Sequence, residues 1–363
     1  ALIICPKMLK TNWKRELALW DAHAEVLTKE EFRRDHKNLL RYAQIIVDEV
    51  HNGFLTPHFK SQMSKALRGY LRAHKIQRVL LLSATVYSAS PWNVYNLCFL
   101  IGIKLNWQRF HLEFFNQVRM GMRIISIAKR GIENKLASIL QKYTNIVNIN
   151  EVMDVPLQFH ALPEYFSLTA SQEDAINESY HPVPIVRWTK KHEIEQGILI
   201  GDEFTANRVI NCDKNERILS LVEENPKIAI ICRYNAQIDV LLRLLAHYAP
   251  YALRGATKDR DSTYRAAEAA TRAVVLIQAD CAEGYELPSF PLVVFASLSY
   301  SYVKFEQVCG RFLRMNKPSR TTFMYLLTEG ESIDQAVFNA IGRKEDFQIA
   351  LYETRGNISN VLQ

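Results

Sequence analysis

Asp48 and Glu49 stand side by side at the end of an apolar run, Ile45-Ile46-Val47, and are followed by Val50 and His51. A short continuous apolar run reads as a strand covered on both faces. In an open parallel sheet, ligands bind beyond the carboxyl ends of the strands. Two carboxylates at such an end suit phosphate chemistry. Asp48 can hold Mg²⁺, directly or through water, and Glu49 can polarise an attacking water as general base. The same two acids can equally cap a following helix.

A second apolar run, Leu80-Leu81-Leu82, ends in Ser83-Ala84-Thr85. Ser83 or Thr85 can hydrogen-bond near a γ-phosphate or near the acids, coupling the site to movement. Hydroxyl residues are also ordinary helix N-caps, and that reading stays open. A third signal is Gln307-Val308-Cys309-Gly310-Arg311-Phe312-Leu313-Arg314. On a helix, Gln307, Arg311 and Arg314 fall on one face. Two guanidiniums on one face form a phosphate clamp, because Arg meets oxyanions bidentately. Such an arginine stabilises transition-state charge in phosphoryl transfer. A solvated basic face is the plain alternative.

Positioning these residues requires strands. In the first half the buried-strand candidates are Leu2–Cys5, Ala43–Asp48, Val79–Ser83 and Ile146–Ile149. An amphipathic helix follows the first, with Trp13, Leu17 and Trp20 on one face and Thr11 as N-cap. In the second half the strands are Ile228–Cys232, Val274–Gln278, Leu292–Ala296 and Thr322–Leu327. Ile238, Leu241, Leu242 and Leu245 mark one helix face, and a last helix spans Ile333–Ile341. This alternation is the rhythm of an α/β fold with two parallel sheets. Between the halves, about Asn150 to Asp213, the pattern is less regular. There Pro163 reads as a boundary mark and Pro182–Asp202 as a loop or small insertion.

The chain has 363 residues, room for two ordinary domains. Lys and Arg outnumber Asp and Glu by 45 to 38, a net charge of +7 that favours a polyanionic partner. The six cysteines form no C-x-x-C pair, which argues against a zinc knuckle and fits a reducing, intracellular setting. No signal peptide is visible, and polar residues interrupt the most apolar window, so no membrane span is expected.

In order and spacing the three signals resemble motifs II, III and VI of superfamily-2 helicases. Further stretches look like the SNF2-like members. Leu2-Ile3-Ile4-Cys5-Pro6-Lys7, followed by Asn12-Trp13-Lys14-Arg15-Glu16, resembles their motif Ia. Ser83–Leu97, including Asn93, resembles a segment in which Val86 stands where Pro is usual. Ala279–Leu287 resembles motif V, and Arg254-Gly255 a motif on the second domain's nucleic-acid face. The resemblance implies two RecA-like domains, over residues 1–155 and 156–363, with ATP between them and an irregular connection at about 156–213. It implies that Asp48 holds Mg²⁺ and Glu49 is the base. Arg311 and Arg314 reach the nucleotide, Arg314 as the likelier finger and Gln307 in support. His51, Gly284 and Glu286 are further implied nucleotide contacts. Lys7, Asn12, Arg254 and the Gly284 turn lie on the implied nucleic-acid track. The implied function is a DNA helicase or duplex-DNA translocase acting as a monomer. An RNA helicase or a non-catalytic pseudo-ATPase platform are the alternatives.

One departure matters. A P-loop needs G-x-x-x-x-G-K-[ST], and none of the 13 glycines is followed by Lys. The chain reads as an N-terminally incomplete piece of an active ATPase, with natural degeneration as the rival. The 363-residue chain is therefore expected to turn over ATP negligibly. Phosphate release above the buffer blank, stimulated by DNA, is the result that would sink this expectation.

Overall fold

Leu2–Cys5 (β1) is four apolar residues long and every one is buried, because strands pair both its edges and apolar clusters cover both its faces. The computed structural model describes residues 1–51, 53–55, 61–83, 91–120, 123–129, 131–145, 160–281, 285–313, 321–343 and 347. The chain divides into two units, Ala1–Asn148 and Ile149–Gln363.

In the first unit β1 is followed by a helix, Lys10–Leu19 (α1), then Glu25–Thr28 (β2) and Lys29–Asp35 (α2). Gln44–Val47 (β3), Gln62–Ala73 (α3) and Arg78–Leu81 (β4) complete the sheet. Its order is β2-β1-β3-β4, all parallel. Alternate residues separate the two faces, as the strand period requires. Leu2, Ile4, Ile45 and Val47 pack with Phe32, Phe54, Leu67 and Tyr70. Ile3, Cys5 and Val26 pack with Trp13, Leu17 and Ile46 on the other side. The unit ends with helices Pro91–Leu100 (α4) and Trp107–Phe114 (α5), a hairpin of Phe115–Met120 (β5) and Arg123–Ala128 (β6), and helix Glu133–Leu140 (α6).

Several expectations are corrected here. The Val79–Ser83 run predicts a strand covered on both faces, but β4 ends the described sheet and Leu80 is 45% exposed. Thr11 is not the N-cap of α1: the helix continues a 3-10 turn at Lys7–Leu9, its N-cap is Leu9, and no side chain caps it. Trp20 lies beyond the last turn and is exposed, so only Trp13 and Leu17 carry the buried face. The expected strand at Ile146–Ile149 lies outside the described residues.

The second unit runs His160–Phe166 (β7), Ala170–Glu178 (α7), Pro184–Glu195 (α8), Ile198–Leu199 (β8), Arg208–Val209 (β9) and Asp213–Glu224 (α9). It continues with Lys227–Cys232 (β10), Asn235–Leu244 (α10), Tyr251–Leu253 (β11), Arg260–Ala269 (α11), Ala273–Gln278 (β12) and Leu292–Phe295 (β13). Tyr302–Phe312 (α12), Thr322–Thr328 (β14) and Ile333–Gly342 (α13) close it. The main sheet is parallel, ordered β11-β12-β10-β13-β14-β7. The chain is thus α/β with two parallel sheets of four and six strands flanked by helices, as RecA-like domains require. Pro163 marks no boundary. It sits inside β7, opposite Tyr325, and an edge strand is where a residue without an N–H is tolerated.

The Pro182–Asp202 stretch is a helix for most of its length. Pro184 occupies its first turn, where a missing N–H costs nothing. Its buried residues, Ile194 apart, are polar, which hid it from a hydrophobic pattern. His192 and Glu195 on α8, with Gln196 just beyond it, are buried together with Lys214 of α9 and Asp334 of α13. Lys214 Nζ is ion-paired to Asp334 Oδ2. The same oxygen accepts from the Thr328 N–H and hydroxyl, both at 3.1 Å. Asp334 Oδ1 accepts from Gln196 Nε2 at 2.8 Å and faces His192 Nε2 at 3.2 Å. Glu195 accepts the first two amides of α13, from Ile333 at 3.0 Å and Asp334 at 3.1 Å. Among the described residues no helix is long and apolar enough to cross a membrane.

Burial pushes the Asp334 carboxyl up, but Lys214 and His192 outweigh it and hold it below the usual range. A depressed carboxylate stabilises the fold above its unfolded value of 3.8 and loses that contribution as pH falls below it. Asp334→Asn leaves Lys214 buried and uncompensated, at a cost of about 3–5 kcal/mol in urea denaturation at neutral pH. The gap between variant and wild type should narrow as pH falls below 3.8. Equal stability at pH 7 would show that the pair carries no weight.

Candidate functional site

Parallel strands end on the same side, so the carboxyl ends of β1 to β4 bring motif residues together. The β3 ladder continues one residue past Val47, through the Asp48 amide to the Ile4 carbonyl at 2.8 Å. The chain then turns. Glu49 has φ +48°, the left-handed region that costs a non-glycine residue about 1–3 kcal/mol. Its carbonyl accepts from Lys29 Nζ at 2.8 Å. Lys29, at the start of α2, is only 4% exposed and also lies 5.6 Å from the Phe54 ring centroid. This buried ammonium helps hold the strained turn.

Asp48 is anchored on both oxygens. Oδ1 accepts the Glu49 amide at 2.9 Å and Oδ2 accepts Trp13 Nε1 at 2.8 Å. A carboxylate offers about four lone-pair directions, so each oxygen retains room for a metal-bound water. His51 Nδ1 faces Glu49 Oε2 at 3.3 Å and the Ser83 hydroxyl at 2.9 Å. Thus Asp48, Glu49, His51 and Ser83 form one cluster across β3 and β4. Neighbouring Cys5 is no nucleophile: burial and the Asp48 charge push its thiol up to about 12. Lys7 is exposed in the 3-10 turn after β1. Asn12 lies on α1 and accepts from Arg15 at 2.7 Å. Asn93 sits in the first turn of α4.

In the second unit Gln307 and Arg311 both lie on α12, one turn apart. The Arg311 carbonyl accepts the Leu287 amide at 3.0 Å, which ties this helix to the end of the motif V stretch. Tyr285, two residues before Leu287, is buried, and burial holds its hydroxyl well above the usual range despite the Arg311 charge. Glu286 is exposed. A Cβ at Gly310 would meet nothing within 4 Å. Glycine inside a helix costs about 1 kcal/mol against Ala, and packing does not demand it here. Arg254 follows β11 and is ion-paired with Asp239 at 2.5 Å. Thr85, Gly284 and Arg314 lie outside the described residues.

No family model matches the chain, and no curated protein does. Among solved structures it is similar to the Sulfolobus solfataricus SWI2/SNF2 ATPase core in complex with dsDNA. The match covers 95% of this chain and 80% of that chain at 16% sequence identity, with a TM-score of 0.38. A likeness of that size carries no argument about activity.

Sequence reasoning missed two residues. Trp13 reads as an apolar helix position, and its indole N–H to Asp48 is invisible to a hydrophobic pattern. Lys29 had a local signal nearby, since Thr28 and Glu31 form a capping box that fixes the start of α2. Trp13→Phe keeps an aromatic, though smaller, side chain in the cluster and removes the donor. A hydrogen bond to a charged group contributes about 1.5–3 kcal/mol, so denaturant unfolding should lose that order of stability. An unchanged midpoint and slope would remove Trp13 from the site.

Proposed function

We propose that this chain forms most of an ATP-dependent nucleic-acid motor, a DNA helicase or duplex-DNA translocase of the SNF2-like type. The observation that carries the reading is the contact chain Trp13–Asp48–Glu49–His51–Ser83. It joins residues of three motifs, far apart in sequence, at the carboxyl ends of adjacent parallel strands. The Gln307–Arg311 helix in the second α/β unit supports it.

The donor set fits a hard cation, because Asp48 keeps acceptor capacity on both oxygens. Mg²⁺ there would neutralise phosphate charge. Glu49 accepts a proton from the attacking water, and the left-handed turn aims its carboxylate. His51 stands between that carboxylate and Ser83, so a change at either strand end is felt at the other. Arg311 supplies positive charge to the transferring phosphoryl group, with Arg314 beside it in sequence and Gln307 in support. Lys7, Asn12 and Arg254 contact the nucleic-acid backbone. Arg254 must exchange its Asp239 partner for phosphate to do so, which makes it the most costly of the three to engage.

The reading places turnover in a chain that also carries a phosphate-binding loop. Sequencing upstream of Ala1 and assaying the encoded protein tests it. A G-x-x-x-x-G-K-[ST] stretch and DNA-stimulated ATP hydrolysis are expected. In that protein Glu49→Gln should lower turnover by about 10²–10⁴-fold, the usual worth of a general base, while duplex binding stays within twofold. Stimulation by single-stranded RNA instead of duplex DNA would redirect the reading to an RNA helicase. An upstream sequence without the loop, or turnover that survives Glu49→Gln, would overturn it.

A further inference from the structure

One arginine at the carboxyl end of the second sheet belongs to none of the sequence signals. Arg233 directly follows Cys232, the last residue of β10. Its guanidinium lies flat on Tyr300, 3.6 Å from the ring centroid, with the Tyr234 ring at 5.5 Å. Its own amide donates to the Ser297 hydroxyl at 2.7 Å, and that hydroxyl donates to Gln237 Oε1 at 2.6 Å. Backbone and side chain are both held.

Arg233 Nε is buried and makes no hydrogen bond, and among the described residues no carboxylate forms an ion pair with it. The acids near its two tyrosines are engaged elsewhere. Glu193 accepts from Lys190 at 3.2 Å and the Ile200 amide at 3.0 Å. Glu195 caps α13, and Asp334 holds Lys214. The Tyr234 hydroxyl accepts from the guanidinium, but a half-buried guanidinium with an unpaired Nε and no carboxylate partner keeps donors for a ligand.

Behind the ring stands a positioning chain. Asp334 can only accept, so the hydrogen between it and His192 sits on Nε2. Burial lowers the His192 pKa and keeps the ring neutral. Nδ1 is then an acceptor, and it faces the hydroxyls of both Tyr300 and Tyr234 at 2.8 Å. Asp334 fixes His192, His192 fixes Tyr300, and Tyr300 carries Arg233.

We infer that Arg233 is a phosphate-binding residue, oriented by Tyr300 and His192 to take an oxyanion at the carboxyl end of β10. A guanidinium stacked on an aromatic ring by its face keeps its edge N–H groups for hydrogen bonds and suits bidentate phosphate recognition. The phosphate belongs to a nucleic-acid backbone or to a nucleotide, and only this choice of source rests on the function proposed above.

The test uses the 363-residue chain with a fluorescein-labelled DNA duplex across a NaCl series, and separately with Mg²⁺·ATP. Arg233→Gln should weaken binding of one ligand about tenfold, the worth of one charge-assisted hydrogen bond. If the source is duplex DNA, the slope of log K against log[salt] should also fall by about 0.9, the loss of one phosphate contact. A purely structural role would not move that slope. Tyr300→Phe keeps the stacked ring but loses the tie to His192, and should weaken binding with the slope intact. In the unaltered chain, phenylglyoxal modification of Arg233 should be blocked by whichever ligand it holds, so the result does not depend on a variant folding. Loss of duplex affinity assigns the phosphate to DNA, and loss of ATP affinity alone assigns it to the nucleotide. If wild type binds either ligand while Arg233→Gln binds both equally well and Arg233 stays unprotected, the inference is wrong and the proposed function stands. Wild type binding neither ligand overturns the inference, while the proposed function is judged by the assay of the longer protein.

Discussion

A parallel strand cannot turn directly into its neighbour; the chain must cross back over the sheet first. That constraint governs both units. It forces helices onto both faces, and it sends every strand of a sheet out of the core on the same side. Residues scattered through the sequence therefore converge at one edge. Asp48 and Ser83 lie 35 positions apart in sequence, yet His51 bridges the strand ends that carry them. Arg233 and Tyr300 meet at the ends of β10 and β13 by the same geometry.

Each unit buries a lysine ammonium close to the sheet, and the two are compensated differently. Lys29 meets a carbonyl and an aromatic face, and so fixes a strained backbone turn. Lys214 meets a full carboxylate, and Asp334 in turn collects donors from α8, α9 and β14. Removing charges from water costs several kcal/mol per ion before any gain. Such an investment buys little stability over an apolar core of the same shape. What it supplies is a tie between elements: Lys214, Gln196, His192 and the first amides of α13 all find acceptors in one network. The helix in the connecting segment is thereby locked to the second sheet rather than strung between domains.

The strands were legible because their covering leaves continuous apolar runs. Leu2–Cys5 agrees residue for residue, and the second-half strands agree to within a residue or two. What escaped was polar or marginal. Glu25–Thr28 is short and half-polar, and it becomes a strand only because β1 offers an edge. The helix at Pro184–Glu195 hides because its buried residues are polar apart from Ile194, and the partners of His192 and Glu195 come from residues 234, 300, 333 and 334. The acid pair was legible as a site, since type and position suffice for that. Its anchoring was not. A hydrogen bond from Trp13 to Asp48 spans 35 residues and leaves no periodic trace.

Net charge shows the same boundary between sequence and structure. A surplus of +7 counts every guanidinium alike, but their surroundings divide them. Arg217 is held by Glu164, Arg265 by Asp261 and Arg254 by Asp239. Each must break an ion pair before it can meet a phosphate, which subtracts from whatever the new contact gains. Arg233 breaks none. Its stacking on Tyr300 uses the face of the guanidinium and leaves the edge, so the ring orients the charge without neutralising it. Among basic side chains at the two sheet edges, affinity for an anion should therefore follow the existing partner rather than the distance to the sheet. By that criterion Arg233 outranks Arg254, although only Arg254 falls within a sequence motif.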